Sequence, residues 1–337
     1  MKCGIIGLPN TGKSTFFNLI SNSRALSGNF PFCTIEPNYG ITKVPDERLY
    51  ELKKIINFST TKIIPSEIKI VDIAGLIKGA HKGEGLGNKF LSHIRETNVI
   101  IHMIRFFRDK SVLHVEGSVN PIRDKEIIDM ELQFKDLETI EKKLEKTTKK
   151  NQINKSTHIL KKISSFLKEG KNIRMYPFQK YEKEYIKDLQ LLTVKPVLYI
   201  CNLDIDDELD QKTNLESMKK MVKRENSTLV ILSLKKNFIK LDQVLKETYK
   251  VLNLQSFFTI GKKEIRSWSI PNPCTAYEAS SVIHTDFKKG FIRAKIIHYN
   301  DFIKHRSEEN VKKAGKILLA GKNYLIQDGD IIHFRFN

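Results

Sequence analysis

The amino-acid sequence predicts an α/β fold with a mostly parallel sheet, a helical insertion and a small β-rich module at the C-terminal end. Short, nearly continuous apolar runs alternate with glycine-rich turns near the N-terminus, which is typical of strands buried on both faces. A helical spacing of apolar residues follows. Short alternating segments then begin after about residue 253.

Apolar runs mark the strands of the predicted sheet. They are Lys2–Ile6, Ile68–Ile73, Val99–Phe106, Pro196–Cys201 and Thr228–Leu232. A glycine-rich loop and the predicted helix Ser14–Ile20 follow the first run. The sheet therefore begins at the N-terminus and resumes after the insertion.

The insertion is predicted as two antiparallel helices, at about 126–185. The apolar stripe of the first helix consists of Met130, Phe134, Leu137, Ile140 and Leu144. Leu160, Ile163 and Leu167 repeat the pattern after a polar break. The lysine-rich stretch from Lys142 to Lys171 is either a solvated face or a surface for RNA phosphates, and both interpretations remain open.

The C-terminal module carries a strand–turn signal at Phe257–Gly261, a predicted helix near Ala276–Ile283 and a last strand at Ile331–Phe336. No run approaches the roughly 20 apolar residues that cross a bilayer, so we expect no membrane span. The N-terminus is interpreted as a strand rather than a signal peptide.

The formal net charge is +19, which favours a polyanionic partner such as RNA or an acidic membrane surface. A compositional bias towards Lys, Ile and Asn would give the same balance without any binding role. Charge alone does not separate these explanations.

A phosphate-binding motif follows the first strand. Residues Gly7 to Ser14 read GLPNTGKS, which matches G-x-x-x-x-G-K-[ST], and Thr15 comes next. The backbone amides and the helix N-terminus would surround the phosphates. Lys13 would reach the β- and γ-phosphates, and the Ser14 hydroxyl would bind Mg²⁺.

Two further segments predict a nucleotide switch. Asp72–Gly75 ends an apolar strand, where the Asp72 carboxylate would hold Mg²⁺ and the Gly75 amide would sense the γ-phosphate. Between the two motifs, Thr34 is the candidate hydroxyl that closes on Mg²⁺.

Together with Gly7–Thr15, the segments Asn29–Asn38 (NFPFCTIEPN) and Asp72–Gly85 (DIAGLIKGAHKGEG) resemble the Obg-related GTPases, and within them the YchF/Obg-like ATPase branch. His284–Ala294 and Asp328–Asp330 also resemble that branch. The resemblance covers the chain essentially from end to end. It implies an Obg-type G domain at 1–252 with a coiled-coil arm, a β-grasp-like TGS domain at 253–337, and ribosome association.

The base-binding segment favours adenine. After the strand Pro196–Cys201, the chain reads Asn202-Leu203-Asp204-Ile205, where GTPases have Asn-Lys-x-Asp. Ile205 accepts no hydrogen bond from guanine, whereas Asn202 would pair with adenine and Leu203 would pack on the ring. The branch itself normally has an acid at this position, so Ile205 departs from it, and Asp204 or Asp206 could compensate through a shifted loop. Ser233 lies where a further base-contacting loop is expected.

Hydrolysis requires a group that orients water. Leu76 follows Asp72–Gly75 in the place of the glutamine of Ras-type switches and cannot orient water by hydrogen bonding. The resemblance points instead to His114, whose neutral imidazole could position water or accept its proton. A loop histidine without catalytic role is the alternative. Asn10 could also ligate K⁺ beside the phosphates.

The predicted function is a monomeric, cytoplasmic, ribosome-associated ATPase switch that binds ATP more tightly than GTP and contacts the ribosome or its RNA. A ribosome-assembly GTPase is one alternative, and a nucleotide-regulated scaffold with negligible hydrolysis is another. The candidate catalytic residues are His114 and Lys13. The candidate nucleotide-binding residues are Asn10, Thr11, Gly12, Lys13, Ser14, Thr15, Gly75, Asn202, Leu203 and Ser233, and the candidate metal ligands are Ser14, Thr34 and Asp72.

Overall fold

Two six-stranded sheets organise the chain. The computed structural model describes residues 1–21, 36–56, 61–75, 79–80, 86–149, 155–204, 211–235 and 241–337. Contacts divide the chain into two compact units, one of residues 1–42 and 69–247, the other of residues 43–68 and 248–337. No helix in these described ranges is long and apolar enough to cross a membrane.

The first sheet has the strand order β2-β4-β1-β5-β6-β7. Its strands are β1 (Lys2–Ile6), β2 (Asn38–Lys43), β4 (Glu67–Asp72), β5 (Val99–Arg105), β6 (Val197–Asn202) and β7 (Thr228–Leu232). Neighbours from β4 to β7 in this order pair in parallel. Every residue of β5 and β6 is buried, which explains their mostly apolar composition. The predicted parallel sheet is confirmed, and β2 is a strand that the sequence analysis missed.

Helices cover this sheet. They are α1 (Lys13–Ser21), α3 (Leu86–Arg95), the first turns of α4 (Pro121–Lys149), α6 (Lys212–Arg224) and α7 (Leu241–Val251). One core joins residues of α3, α4 and α6 to the strands, including Leu91, Ile128 and Met218. The apolar face of each helix therefore packs where the strands are buried.

The predicted helical insertion is present. The side chain of Asn120 accepts the Arg123 amide and caps α4, and Pro121 occupies the first helical position. Ile140 of α4 packs with Ile163 of α5 (Lys155–Lys168). Two 3-10 segments follow, Ile173–Met175 and Glu182–Leu189. A bond from Gln133 to the Gly170 carbonyl brings the end of α5 back to the middle of α4, so the two helices are antiparallel.

The predicted apolar stripe is wrong at its start. Met130 and Phe134 are exposed, whereas Ile127, Ile128 and Leu132 are buried against the sheet. The physical reason is a change of partner along α4. Its first turns pack on the sheet and its later turns on α5, so two differently oriented faces are buried.

The second sheet has the strand order β11-β10-β12-β8-β9-β3. Its strands are β3 (Lys62–Ile64), β8 (Leu254–Ile260), β9 (Glu264–Pro271), β10 (Phe291–Ile297), β11 (Leu318–Ala320) and β12 (Ile331–Phe336). The accompanying helices are α2 (Glu47–Ile56), α8 (Ala276–Ile283), α9 (Thr285–Lys289), α10 (Tyr299–His305) and α11 (Glu308–Lys313). Thr275 and Glu278 form a capping box that fixes the start of α8 where the sequence predicted a helix.

Residues 43–68 belong to this second unit, although the sequence analysis placed them in the domain 1–252. Strand β3 pairs with β9, and Leu49 and Leu52 of α2 pack in the same core as Phe258. The compact unit therefore combines an early segment with the C-terminal residues. The domain limits 1–252 and 253–337, with the insertion at 126–185, stay a prediction.

Candidate functional site

The loop between β1 and α1 has the backbone shape that an anion-binding turn needs. Gly7 and Gly12 have φ angles of 150° and 95°, which strain residues with a Cβ atom. A Cβ on Gly7 would lie 2.4 Å from the Met103 carbonyl oxygen, and one on Gly12 would lie 2.8 Å from Asn202 Nδ2. Glycine is therefore required twice, and the loop leads directly into the N-terminus of α1.

Lys13 lies buried in the first turn of α1. Its ammonium donates a 2.7 Å hydrogen bond to the Leu8 carbonyl oxygen, which also accepts from the Thr11 hydroxyl. Burial lowers the pKa of Lys13 to about 8, and the nearby Asp72 carboxylate opposes that shift. An ammonium held by one loop carbonyl can exchange that acceptor for a charged phosphate oxygen, which makes a stronger bond.

Ser14 and Asp72 meet at the end of β4. The Ser14 hydroxyl donates a 2.7 Å bond to Asp72 Oδ2, while Asp72 Oδ1 is buried and accepts no hydrogen bond from the described residues. Burial raises the pKa of Asp72, and the Ser14 hydrogen bond and the Lys13 charge act in the opposite direction. A hydroxyl and a partly unsatisfied carboxylate are oxygen ligands of the kind that Mg²⁺ takes. The residues present therefore fit the predicted ion.

Gly75 lies against the phosphate loop. A Cβ at this position would lie 3.0 Å from the Pro9 ring and backbone, so a larger residue would push the phosphate loop away. Thr15 is exposed on α1. Thr34 and Leu76 lie outside the described residues, so their predicted roles stay predictions.

Asn202 connects the phosphate loop to the segment after β7. Its Nδ2 donates a 3.1 Å bond to the Thr11 carbonyl oxygen, and its Oδ1 accepts from the Leu234 amide at 3.4 Å. The side chain is 4% exposed. Each end of this amide makes one bond, which leaves one N–H and one lone pair for an adenine edge.

The neighbouring base-binding candidates are also buried. Leu203 packs in the core beneath the sheet end, so its side chain is shared with the protein interior. The Ser233 hydroxyl oxygen is buried without a hydrogen-bond partner among the described residues, which leaves it available to a ligand. Ile205 and Asp206 lie outside the described residues.

His114 lies in the loop between β5 and α4, with its side chain 4% exposed. Its Nε2 lies 2.9 Å from Asp124 Oδ2, and its Nδ1 accepts the Glu116 amide at 3.1 Å. The preceding residue, Leu113, contacts the phosphate loop, because its carbonyl oxygen accepts a 3.1 Å bond from Asn10 Nδ2. The structure thus joins the predicted histidine loop to the phosphate loop.

Sequence reasoning missed the residue that shapes this loop. Arg105 is 1% exposed, and its guanidinium donates to the carbonyl oxygens of Phe107, Asp109, Val112 and Leu113. The available signal was the arginine in the mostly apolar run Val99–Phe106, because a buried guanidinium needs several acceptors.

Lys235 links two loops at the same edge of the sheet. Its ammonium lies 3.1 Å from an Asp109 carboxylate oxygen and 3.3 Å from one of Asp204. The loops after β5, β6 and β7 therefore converge on one end of the sheet. Ligands bind at this carboxyl end in open parallel sheets.

Sequence comparison assigns both parts of the chain to families. Residues 2–202 match the family described as 50S ribosome-binding GTPase. Residues 254–337 match the YchF-GTPase C-terminal family, described as a protein of unknown function.

The chain is similar to curated proteins over their whole lengths. It is 45% identical over 362 residues to the ribosome-binding ATPase YchF of Buchnera aphidicola subsp. Schizaphis graminum, covering 100% of this chain and 99% of that protein. It is 40% identical over 365 residues to the ribosome-binding ATPase YchF of Bacillus subtilis, with the same coverage. Among solved structures, the YchF GTPase of Schizosaccharomyces pombe superposes with a TM-score of 0.84 and 37% identity, covering 99% of this chain and 97% of that one.

Proposed function

The chain belongs to the YchF family, and from this membership we propose that it is a ribosome-associated ATPase in which the nucleotide state acts as a conformational switch. The observation that carries the proposal is the arrangement of Lys13, Ser14 and Asp72 around the glycine-rich loop. A buried cation, a hydroxyl and a carboxylate meet at a helix N-terminus, as phosphoryl transfer requires. Full-length relatives called ribosome-binding ATPases support it.

Nucleotide binding would redirect bonds that already exist in the loop. Lys13 would exchange the Leu8 carbonyl for phosphate oxygens, and the Gly7–Gly12 amides would surround the phosphates. Ser14 and Asp72 would hold Mg²⁺, with Thr34 as the third proposed ligand. When bound, Mg²⁺ neutralises negative charge on the β- and γ-phosphates. Gly75, which touches Pro9, would transmit the presence of the γ-phosphate to the following segment.

Adenine is the proposed base. Ile205 offers guanine no acceptor, and the unpaired donors would cost about 1–3 kcal/mol for each buried group. Asn202 connects Thr11 and Leu234, and its second N–H and second lone pair would serve the adenine contact. The unpartnered Ser233 hydroxyl is an additional polar group for the base.

A titration of the purified protein with fluorescent ATP and GTP analogues tests this preference. We expect ATP to bind about tenfold or more tightly, because one unpaired donor is enough for that ratio. An Ile205→Asp variant is the matched comparison, since it supplies the missing acceptor and should strengthen GTP binding. Equal affinities in the unmodified protein, or a GTP preference, would contradict the proposal.

His114 is the proposed residue for water activation, with Lys13 stabilising charge on the phosphates. In the present conformation both ring nitrogens are engaged, so His114 would have to release either Asp124 or the Glu116 amide before it contacts water. Asn10 remains the proposed K⁺ ligand, through Oδ1, because an amide nitrogen only donates hydrogen bonds.

The ribosome is the proposed partner, the cytoplasm the proposed location and the monomer the proposed state. The net charge of +19 supports a nucleic-acid surface as the binding target. A scaffold with negligible hydrolysis and a ribosome-assembly GTPase are the alternatives. Single-turnover hydrolysis of ATP and GTP, with and without ribosomes, separates the three: the proposal requires ATP turnover, and its absence in both conditions favours the scaffold.

A further inference from the structure

The environment of His114 is built by the first turn of α4. Asp124 lies in that turn, 3% exposed, and its Oδ2 is 2.9 Å from His114 Nε2. The pair is almost wholly shielded from water, with side-chain exposures of 4% and 3%. A buried carboxylate–imidazole contact is strengthened by this low-dielectric surrounding.

The hydrogen bonds fix the tautomer of His114. The Glu116 amide can only donate, so Nδ1, at 3.1 Å, must act as an acceptor and carry no proton. A neutral ring then bears its proton on Nε2, which donates to Asp124. In this conformation neither nitrogen is left to bind water.

Asp124 is itself held in place from the opposite side. Arg123 Nε and Nη2 donate to Asp124 Oδ1 at 3.1 Å and 2.8 Å. Arg123 is anchored in turn to the hydroxyl and carbonyl of Ser118. The Asp124 amide donates to the Asn120 carbonyl oxygen at 2.9 Å, as the first helical bond of α4. The carboxylate therefore has a fixed position and a fixed orientation.

The phosphate loop reaches the same histidine through its neighbour in sequence. The Leu113 carbonyl oxygen accepts from Asn10 Nδ2 at 3.1 Å and from Arg105 Nη1 at 3.2 Å. Asn10 lies within the phosphate-binding motif, so a change in that loop acts on the residue next to His114. The His114 segment is therefore held from two sides. Asp124 of α4 bonds to the ring, and the phosphate loop bonds to the backbone of the neighbouring Leu113.

We propose that Asp124 is a positioning residue for hydrolysis. It stores His114 as the Nε2-protonated imidazole, with both ring nitrogens occupied, until nucleotide binding displaces the loop. The inference rests on the proposed role of His114 in water activation. Asp124 does not touch the substrate in this scheme. It sets how readily the imidazole leaves its stored position.

Steady-state ATPase measurements on Asp124→Asn test the proposal. Asparagine keeps the size of the side chain and removes the charge, and a hydrogen bond without charge assistance is roughly half as strong. We expect kcat to rise about three- to tenfold while KM for ATP stays unchanged. Glu126→Gln is the matched control, because it removes an exposed carboxylate from the same helix, and its kcat should equal that of the wild type.

The double variant Asp124→Asn/His114→Ala separates the possible outcomes. The rise in kcat should vanish in it, and a rise that persists overturns the storage role. His114→Ala alone tests the underlying premise. Turnover equal to wild type removes His114 from the reaction and the storage proposal with it. Lower turnover in His114→Ala, combined with unchanged or lower turnover in Asp124→Asn, overturns the storage role and leaves His114 in place.

Imidazole ¹⁵N chemical shifts provide a readout on the wild-type protein that does not depend on the folding of Asp124→Asn. The His114 signals are assigned by their loss in His114→Ala. Without nucleotide, the wild-type ring should show a protonated Nε2 and an unprotonated Nδ1, and a non-hydrolysable ATP analogue should shift both signals. A proton on Nδ1 in the nucleotide-free protein, or shifts unaffected by the analogue, would contradict the proposal.

Discussion

Two side chains of the phosphate site, Lys13 and Ser14, already make hydrogen bonds within the protein. Lys13 is held by the Leu8 carbonyl and Ser14 by Asp72, so each has a bond to exchange when a ligand arrives. Binding therefore replaces existing hydrogen bonds and does not create the site from disordered groups. The net free energy of binding depends on how much more strongly the phosphate oxygens accept hydrogen bonds than these internal acceptors do.

Asp136 carries the clearest pH dependence of any single residue in the structure. It is fully buried in α4, and its carboxylate accepts 2.7 Å bonds from the Leu192 amide and from the amide and hydroxyl of Thr193. Burial is the largest effect and raises its pKa to about 6, although these bonds act in the opposite direction. The folded protein therefore binds this proton more tightly than the unfolded chain does.

A group of this kind lowers stability as pH rises. Between about pH 4 and pH 6 the unfolded chain has already lost the proton that the folded state keeps, so the free energy of unfolding decreases. Relative to Asp136→Asn, the wild type should lose up to about 3 kcal/mol across this range in urea titrations. Glu138→Gln, on the same helix, should show no such difference between pH 5 and 6, because hydrogen bonds from Lys135 and Lys142 lower the pKa of Glu138. If the difference in free energy of unfolding between wild type and Asp136→Asn did not change with pH, the raised pKa of Asp136 would be contradicted.

At this scale the sequence identified residues that belong to a local motif and missed those that act across the chain. Lys13 and Ser14 are adjacent in one motif, and Asp72 ends a recognisable strand. Arg105 lies in an apolar run but in no motif, and Asp124 has no pattern around it. Their importance comes from the folded path of the loop between β5 and α4, which no spacing rule encodes.

Among the elements, α4 has the most unusual composition for a helix that packs on a sheet. Its sheet-facing turns bury charged residues, with the Lys125 ammonium bonded to Asp129 and to Glu225. Arg174 lies 3.5 Å from Glu225 and 3.8 Å from Asp129, so two cations and two carboxylates share one buried cluster. Helical periodicity failed here because polar residues occupy buried positions in place of apolar ones.

Removing one member of this cluster should be costly. Lys125→Met preserves the side-chain length but leaves Asp129 and Glu225 facing each other in the interior. We expect a loss of about 3–5 kcal/mol in the free energy of unfolding, measured by urea titration. Lys142→Met is the matched change on the exposed side of the same helix and should cost less than about 1 kcal/mol. Similar losses in the free energy of unfolding for Lys125→Met and Lys142→Met would show that burial of the lysine does not determine the cost.

For the whole molecule, the order of segments along the chain does not match the order of compact units. Residues 43–68 join the C-terminal unit through the pairing of β3 with β9. Sequence patterns divide a chain at changes of composition, and no such change marks these residues. The C-terminal strands and α8 were predictable because their signals are local, whereas the contribution of β3 depends on a partner far along the chain.

The net charge of +19 predicts salt-sensitive association with ribosomes. Arg293 of β10 and Arg335 of β12 lie directly opposite each other and are both exposed. Like charges in this arrangement destabilise a sheet, so the pair is better explained by binding than by stability. Lys288 and Lys289 lie shortly before β10, and with Arg293 they are candidates for phosphate contact.

Arg293→Gln should therefore change binding and stability in opposite directions. We expect weaker sedimentation with ribosomes and a shallower dependence on KCl, with the logarithmic slope smaller by about one for each phosphate that the variant no longer neutralises. The melting temperature should stay equal or rise, because one repulsive pair disappears. Lys313→Gln, an exposed lysine of α11 paired with Glu309, is the control and should leave sedimentation unchanged. A salt-insensitive interaction would indicate a protein partner.

The continuous length of α4 also has a mechanical consequence. Its 29 residues correspond to about 44 Å of unbroken helix. Ile122, Ile128 and Leu132 hold its first turns in the core of the sheet, and Ile140 packs with Ile163 of α5 further along. Asp124 lies between Ile122 and Ile128, so the carboxylate that contacts His114 belongs to the same unbroken helix as the packing surface of the insertion. A displacement of α5 would therefore be passed to Asp124 through a helix and not through a loop.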